Sequence, residues 1–410
     1  MDRRKFLKVL GAGGLAATLL PSSVRAEPYE GPLLLTINAL GGWDVTNLCD
    51  PKGGAINQAY ETGDIGTAGR INYAPIYKNR EFFDRFHSEM TLINGIDMRT
   101  AGHFEAARFM WSGNQADNGS PSLAALFAAR HLEGFNVPAA FTSTGGFSRT
   151  ANLVPLTRLA NPGMLPSIVH SEHERGITNQ SRYAEDFALD AIRDTLDARH
   201  AAASANELPR FRSQRSELHA AQASTDLLKR YAEFYPETNG EETTWQSQAA
   251  TALAAMKAGL GASASILVSD FDTHARHEER TAVLMPGLTD TITYAYDLAG
   301  ELGILDRLTI VVSSEFSRTP EYGMNGGKDH WPTNSMMLFG PGIGGGRVFG
   351  ETDEGHRPRT VNLDTLELDD AGERIYPGYI MRALQEHLDI RDFAVDKGFD
   401  LRVRSIPLFD

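Results

Sequence analysis

The sequence predicts an α/β fold: a mostly parallel central sheet covered by helices on both faces. Three observations carry that expectation. Apolar runs of strand length recur along the chain, and segments with helical spacing lie between them, the order expected of strand-helix-strand crossovers. The runs are apolar at most positions, with little alternation, as strands buried on both faces require. Clusters of Asp, Glu and His follow these runs, and in open parallel sheets ligands bind beyond the carboxyl ends of the strands.

Taken in order, residues 1–26 are an address. Arg3, Arg4, Lys5, Phe6, Leu7 and Lys8 precede an apolar run from Val9 to Leu20, and small residues from Pro21 to Ala26 offer a cleavage site before Glu27. The run is shorter than the roughly 20 apolar residues of a membrane span, so it reads as a signal peptide with no stable membrane insertion. The paired arginines resemble a twin-arginine export signal, which makes the twin-arginine translocase the expected export partner and the periplasm or exterior the destination.

The mature chain, 27–410, opens with a buried strand from Leu33 to Leu40 that ends at Gly41 and Gly42. A second strand runs from Thr91 to Ile96, followed by helical spacing from Phe104 to Trp111 and from Leu123 to Leu132. A weaker strand spans Val137 to Thr142. Between about 180 and 262 the chain is rich in Ala, Glu, Arg, Gln and Leu, with breaks at Pro209, Pro236, Asn239 and Gly240, and reads as a helical insertion. Strands return at Ala264–Ser269, Leu308–Ser313 and Ser335–Phe339, with a helix from Ala282 to Leu302 and a closing helix from Tyr379 to Leu388. Gly344, Gly345 and Gly346 follow a strand with no clear helix after them, so they read as a turn.

Composition narrows the function classes. The 410 residues include 53 acidic and 39 basic side chains, a formal charge of −14. Removing the leader, with five basic residues and one acidic, leaves about −18. Nucleic acid and anionic membranes are excluded as partners, because affinity for phosphate backbones comes from clustered Lys and Arg. The single cysteine, Cys49, permits no intramolecular disulfide and reads as a small buried residue.

Three polar clusters are expected to meet at one sheet edge. The first strand leads to Asp44, with Thr46 and Asn47 beyond it. The strand at 264–269 leads to Asp270, Asp272, Thr273, His274 and His277; the strand at 308–313 leads to Ser314, Glu315, Ser317 and Arg318. Lys328, Asp329 and His330 come just before the strand at 335–339. Carboxylate oxygen with imidazole nitrogen suits zinc, manganese or iron, and a more oxygen-rich subset suits calcium or magnesium. His87, His131, His200, His219 and His387 lie in helical or surface contexts and read as structural.

The runs Gly41 to Asn47, Asp272 to His274, Ser314 to Pro320 and Gly326 to Pro332 resemble the successive motifs of the domain-of-unknown-function 1501 family. That resemblance implies an alkaline phosphatase-like and sulfatase-like superfamily fold. It also implies a site with one or two divalent ions, among which zinc, manganese, calcium and magnesium are not distinguished. On the matching positions, Asp44, Asp272, His274, Glu315 and His330 are the expected ligands, with Asp270, His277 and Asp329 as possible replacements. Counting back from Ser112 and Gly113 puts His103 in the place of the superfamily's hydroxyl nucleophile, at a helix start. Arg318 and Lys328 are expected to neutralise an anionic small-molecule or polymer ester. The function implied is an exported metal-dependent hydrolase of phosphate or sulfate esters; the alternative is a catalytically inactive, metal-stabilised binding or assembly protein of the same fold.

Overall fold

All seven residues of β1 (Leu33–Ala39) are buried, so this strand has a packed layer on each face and a neighbour on each side. The computed structural model describes residues 28–135, 137–158, 185–204, 225–236 and 242–409. The expected export leader and His219 lie outside the described residues. After β1 the chain forms a small hairpin of β2 (Gly66–Ala68) and β3 (Ile71–Tyr73), then α1 (Asn79–Phe86), β4 (Met90–Asp97), α2 (His103–Ser112) and α3 (Leu123–His131). Short strands β5 (Phe141–Ser143) and β6 (Leu156–Arg158) follow, then α4 (Asp186–Ser204), α5 (Thr225–Phe234) and α6 (Thr244–Lys257). Next come β7 (Ser263–Val268), the long helix α7 (His277–Glu301), β8 (Leu308–Ser313), β9 (Ser317–Arg318), β10 (His330–Trp331) and β11 (Thr333–Phe339). The chain finishes with β12 (Arg347–Phe349), a ribbon of β13 (Thr360–Val361) and β14 (Glu373–Arg374), and helices α8 (Pro377–His387) and α9 (Arg391–Asp396).

Eight strands form the central sheet in the order β12-β4-β11-β8-β1-β7-β5-β6. β1 pairs in parallel with β7, Leu34 opposite Ser263, and with β8, Leu33 opposite Leu308. β11 alone runs antiparallel to its neighbours, β4 and β8. The expected mostly parallel sheet is therefore present, with one reversed strand. Leu34, Leu35 and Ile37 are fully buried in a core that continues through Ile266, Ile310, Val312 and Met337. Each such side chain stabilises the fold by about 1.5–3 kcal/mol relative to exposure.

Helix α6 is built into this core: Ala249 to Met256 are buried, and the helix packs against β7 and α7. It starts with a reciprocal cap in which Thr243 and Gln246 bond each other's backbone amides. Cys49 is buried and burial pushes its thiol pKa up, which leaves no reactive thiolate. Two of the histidines read as structural bond backbone carbonyls, His131 Nε2 that of the distant Leu388 at 2.9 Å and His87 Nδ1 that of Phe83, one turn back, at 3.1 Å. Among the described residues no helix is long and apolar enough to cross a membrane.

Candidate metal centre

The sheet direction explains why distant segments converge. β1, β4, β7 and β8 run the same way, so the loops after Ala39, Asp97, Val268 and Ser313 leave one edge. β11 is reversed, so the residues before its start, including His330, arrive at that same edge. Helix α2 begins there too: Gly102 is the extended N-cap, Glu105 supplies an acid in the first turn, and left-handed Gly113 ends the helix. Close approach at this edge needs glycine. Gly41 has φ of +116°, and a Cβ there would strike the Asp272 amide; a Cβ at Gly327 would strike the His274 carbonyl.

Two clusters form, one open and one buried. In the open cluster Asp272 is the hub. His274 Nε2 lies 2.9 Å from Asp272 Oδ1, His330 Nε2 lies 3.3 Å from the same oxygen, and His103 Nε2 lies 3.9 Å from Oδ2. The His274 and His330 Nε2 atoms are 3.0 Å apart. Behind two of the rings stands an acceptor for the other nitrogen. His103 Nδ1 is 2.8 Å from Glu315 Oε1, and His330 Nδ1 donates to the Ala101 carbonyl at 2.9 Å. Asp329 Oδ1 sits 3.6 Å from His274 Nδ1. Anchoring Nδ1 fixes the tautomer and turns the Nε2 lone pair inward, the arrangement that supports metal-binding histidines.

Charge is distributed to match. The Glu315 hydrogen bond raises the His103 pKa against the opposing effect of burial. Burial alone would raise the Asp272 carboxyl, but the Arg318 guanidinium outweighs it and the net shift is downward. Glu315 is fully buried and also accepts from the Gly41 amide at 2.8 Å and from Ser314 Oγ at 3.1 Å. Two groups in this region bring ligand-type atoms within 4.8 Å of one another: His103, Asp272 and His330, and His274, Asp329 and His330.

The buried cluster surrounds Asp44. Its Oδ2 lies 2.6 Å from Lys328 Nζ and 3.0 Å from His277 Nε2, while Oδ1 accepts from the Thr46 amide and hydroxyl at 2.9 and 2.6 Å. Burial pulls the Asp44 pKa upward, yet Lys328 and the hydrogen-bonded His277 hold it well below the usual carboxylate range. Lys328 also lies over the Tyr322 ring, 4.9 Å from its centroid, and Tyr322 donates to Glu278.

The expected ligands thus separate. Asp272, His274 and His330 meet directly; Glu315 stands behind His103; Asp44 pairs with Lys328 and His277. Asp270 carries φ of +80° and its carboxylate accepts from Ser269 Oγ at 2.9 Å. Arg318 and Lys328, expected to face an anion, are both buried. Arg318 donates to the carbonyls of Gly41, Gly42 and Lys328 and, at 2.7 Å, to Asp272 Oδ1. Sequence reasoning missed the Ala101 carbonyl, which no side chain marks, and His356, a fully buried imidazole whose two ring nitrogens have no protein partner. It named Thr273 in the cluster but gave it no role; in the structure Thr273 is buried between the exposed Asp272 and His274.

The family model described as protein of unknown function DUF1501 matches residues 34–364, from β1 past His330. The chain belongs to the DUF1501 family. A search of curated proteins finds no match for this DUF1501 member. Among solved structures it is similar to Ps i-CgsB, determined in complex with k-i-k-neocarrahexaose, at 9% identity over 92% of this chain and 78% of that one, TM-score 0.37. It is also similar to the alkaline phosphatase from the Antarctic bacterium TAB5, at 11% identity over 77% and 93% of the two chains, TM-score 0.32. A third likeness is to the PsFucS1 sulfatase from Pseudoalteromonas sp., at 11% identity over 79% and 66%, TM-score 0.30.

Proposed function

We propose that this DUF1501 protein is a metal-dependent hydrolase of phosphate or sulfate esters that acts outside the cytoplasm, where the export leader read from residues 1–26 directs it. One observation carries the reading: three imidazoles present Nε2 to one carboxylate at an open sheet edge, and the Nδ1 atoms of His103 and His330 are held by acceptors behind them. The donor set fits a borderline divalent ion such as zinc or manganese. Asp272, His274 and His330 would hold it, with Asp329 within reach of the last two. Such an ion supplies Lewis acidity toward the ester oxygens and makes bound water more acidic.

The chain's own groups do the rest. Arg318 fixes Asp272 Oδ1 and leaves Oδ2 facing His103. His103, backed by Glu315, has the widest gap to the hub; in its doubly protonated form it gives the Nε2 proton to the leaving oxygen as the phosphorus–oxygen or sulfur–oxygen bond breaks. Water supplies the hydroxyl that replaces that oxygen, and the water proton returns to His103. Because Arg318 and Lys328 are buried and paired, the charge of the ester would be met by the bound ion and by His103.

The test is elemental analysis of purified mature protein followed by turnover of phosphate mono- and diesters and sulfate esters. The expected result is a bound divalent ion, turnover of one ester class, and a His103→Ala variant that keeps the ion and loses turnover. The second reading, a metal-stabilised binding protein, has one observation in its favour: an imidazole, not a hydroxyl, begins α2. Bound metal with no hydrolysis of any ester would establish it, and absence of bound divalent metal would end both.

A further inference from the structure

Between the open and buried clusters runs a chain of contacts that joins the two arms of the centre. The loop after β7 alternates: Asp272 and His274 belong to the open cluster, while Thr273, between them, is fully buried on the other side. Thr273 Oγ1 lies 2.7 Å from His277 Nδ1, His277 Nε2 lies 3.0 Å from Asp44 Oδ2, and that oxygen lies 2.6 Å from Lys328 Nζ. Lys328 closes the circuit, since its amide donates to the Thr273 carbonyl at 3.1 Å. Two residues further on is His330, whose ring meets His274.

We infer that Thr273, His277, Asp44 and Lys328 are positioning residues that set the separation of the His274 and His330 arms, and through it the affinity of the centre for its ion. The inference rests on the metal-centre reading above. Its physical basis is that each arm is held twice. The 272–274 arm is tied to the 328–330 arm through backbone, by the Lys328 amide on the Thr273 carbonyl, and through side chains, by the relay from Thr273 to Lys328. Besides that backbone bond, Arg280 donates to the Asp272 carbonyl at 2.7 Å and Arg318 to its carboxylate at 2.7 Å, which leaves Thr273 as the point at which a roll of the segment about its own axis is resisted from within. A buried hydroxyl on the inner face opposes that roll, and the roll is what would turn Asp272 and His274 away from His330. His277 is suited to the task because it begins α7, a helix of 25 residues that gives the relay a rigid base. Asn47 contributes from the side, its Nδ2 lying 3.3 Å from both His277 Nε2 and Thr281 Oγ1. All four relay residues are buried and lie behind the ligand face, so their effect on the ion passes through geometry.

Thr273→Val tests this with the least disturbance, since it keeps the branched shape and removes only the hydroxyl. Zinc and manganese affinities would be measured by competition with a chromophoric chelator, beside thermal unfolding of the metal-free proteins. Loss of outer-shell partners weakens metal binding by roughly 10–100-fold. A loss in that range is expected for Thr273→Val folded at the assay temperature, with Thr273→Ser restoring most of the affinity. A folded Thr273→Val protein with wild-type affinity for both ions overturns the inference while leaving the metal centre standing. Wild-type protein that binds neither ion overturns the metal centre, and the inference with it. Should Thr273→Val fail to fold, Thr273→Ser and His277→Gln carry the same comparison: unchanged affinity in both overturns the inference, and graded loss supports it.

Discussion

Asp44 and Asp272 follow neighbouring parallel strands of one sheet, yet they solve opposite problems. Asp44 is buried, and both its oxygens are met from within the chain by Lys328, His277 and Thr46. Asp272 is half exposed and faces three imidazoles, with two Nε2 atoms only 3.0 Å apart. A carboxylate whose oxygens are all taken up by a lysine, an imidazole and a threonine is a closed unit that holds segments together. Asp272 has a cation only on one side, where Arg318 meets Oδ1 at 2.7 Å, and its open side faces a crowd of imidazole nitrogens, a donor set that gives it a chemical use. The difference teaches that a shared position at a strand end does not give two aspartates a shared role: each is paired with a buried cation, and what separates them is whether an open side remains to face other ligand-type groups.

The contrast can be broken at either end, and the buried end gives the largest expected effect. Asp44→Ala leaves Lys328 buried without its counter-charge and should cost about 3–5 kcal/mol in urea unfolding of the metal-free protein. The double variant Asp44→Asn with Lys328→Met should recover much of that loss, because the pair is then neutral. A single variant as stable as wild type would show that Lys328 reaches water and that the two clusters are alike.

At the open end the ordering of effects reverses. His330→Ala should lower metal affinity by at least the 10–100-fold typical of outer-shell losses while changing metal-free stability by about 1 kcal/mol or less. Chelator competition and urea unfolding on the same preparations read both quantities. Equal stability losses for His330→Ala and Asp44→Ala would erase the distinction.

Acid sharpens the comparison further. The Asp44 carboxyl is held below its ordinary range, so its contribution to stability is fully present above the unfolded carboxylate pKa and is lost as pH falls toward the folded value. The stability gap between wild type and Asp44→Asn should therefore be widest at neutral pH and narrow below about pH 4. A gap that stayed constant from pH 7 to pH 3 would contradict the proposed pairing.

The smallest effect belongs to the rim. Asp329 is exposed and 3.6 Å from His274 Nδ1, so Asp329→Asn should change stability by no more than about 0.5 kcal/mol. Its effect on metal affinity should stay under about tenfold, the lower limit for an outer-shell partner. A larger loss would move Asp329 from the rim into the set that holds the ion.

Much of this was legible in the sequence because strand ends are marked locally. Apolar runs and the polar residues after them located β1, β7 and β8, and the parallel-sheet rule brought Asp272, His274 and His330 to one edge. What the sequence left open was pairing. Asp44 and Asp272 look alike as letters, and only the fold shows that Lys328, 284 residues on, closes off Asp44 while Arg318 leaves Asp272 one open side. Arg318 and Lys328 read as anion-binding cations because a sequence shows charge without showing whether carbonyls and carboxylates already consume it. The Ala101 carbonyl was beyond reach, since a backbone acceptor has no residue type to announce it. Thr273 was named beside its neighbours without a role, because its burial between the exposed Asp272 and His274 shows only in the fold.

The position of β1 has a consequence for synthesis. Among the described residues it is the first strand made, yet its two neighbours in the sheet, β7 and β8, begin at residues 263 and 308. At roughly 5–20 residues per second, an apolar strand with both edges unpaired must wait on the order of 10–45 s for its first partner. Throughout that interval the nascent chain carries a template for wrong strand pairing. On the proposed reading the ligands of the ion lie between residues 272 and 330, so the ion would be captured only after most of the chain has emerged, and metal loading would be a late event tied to completion of the sheet.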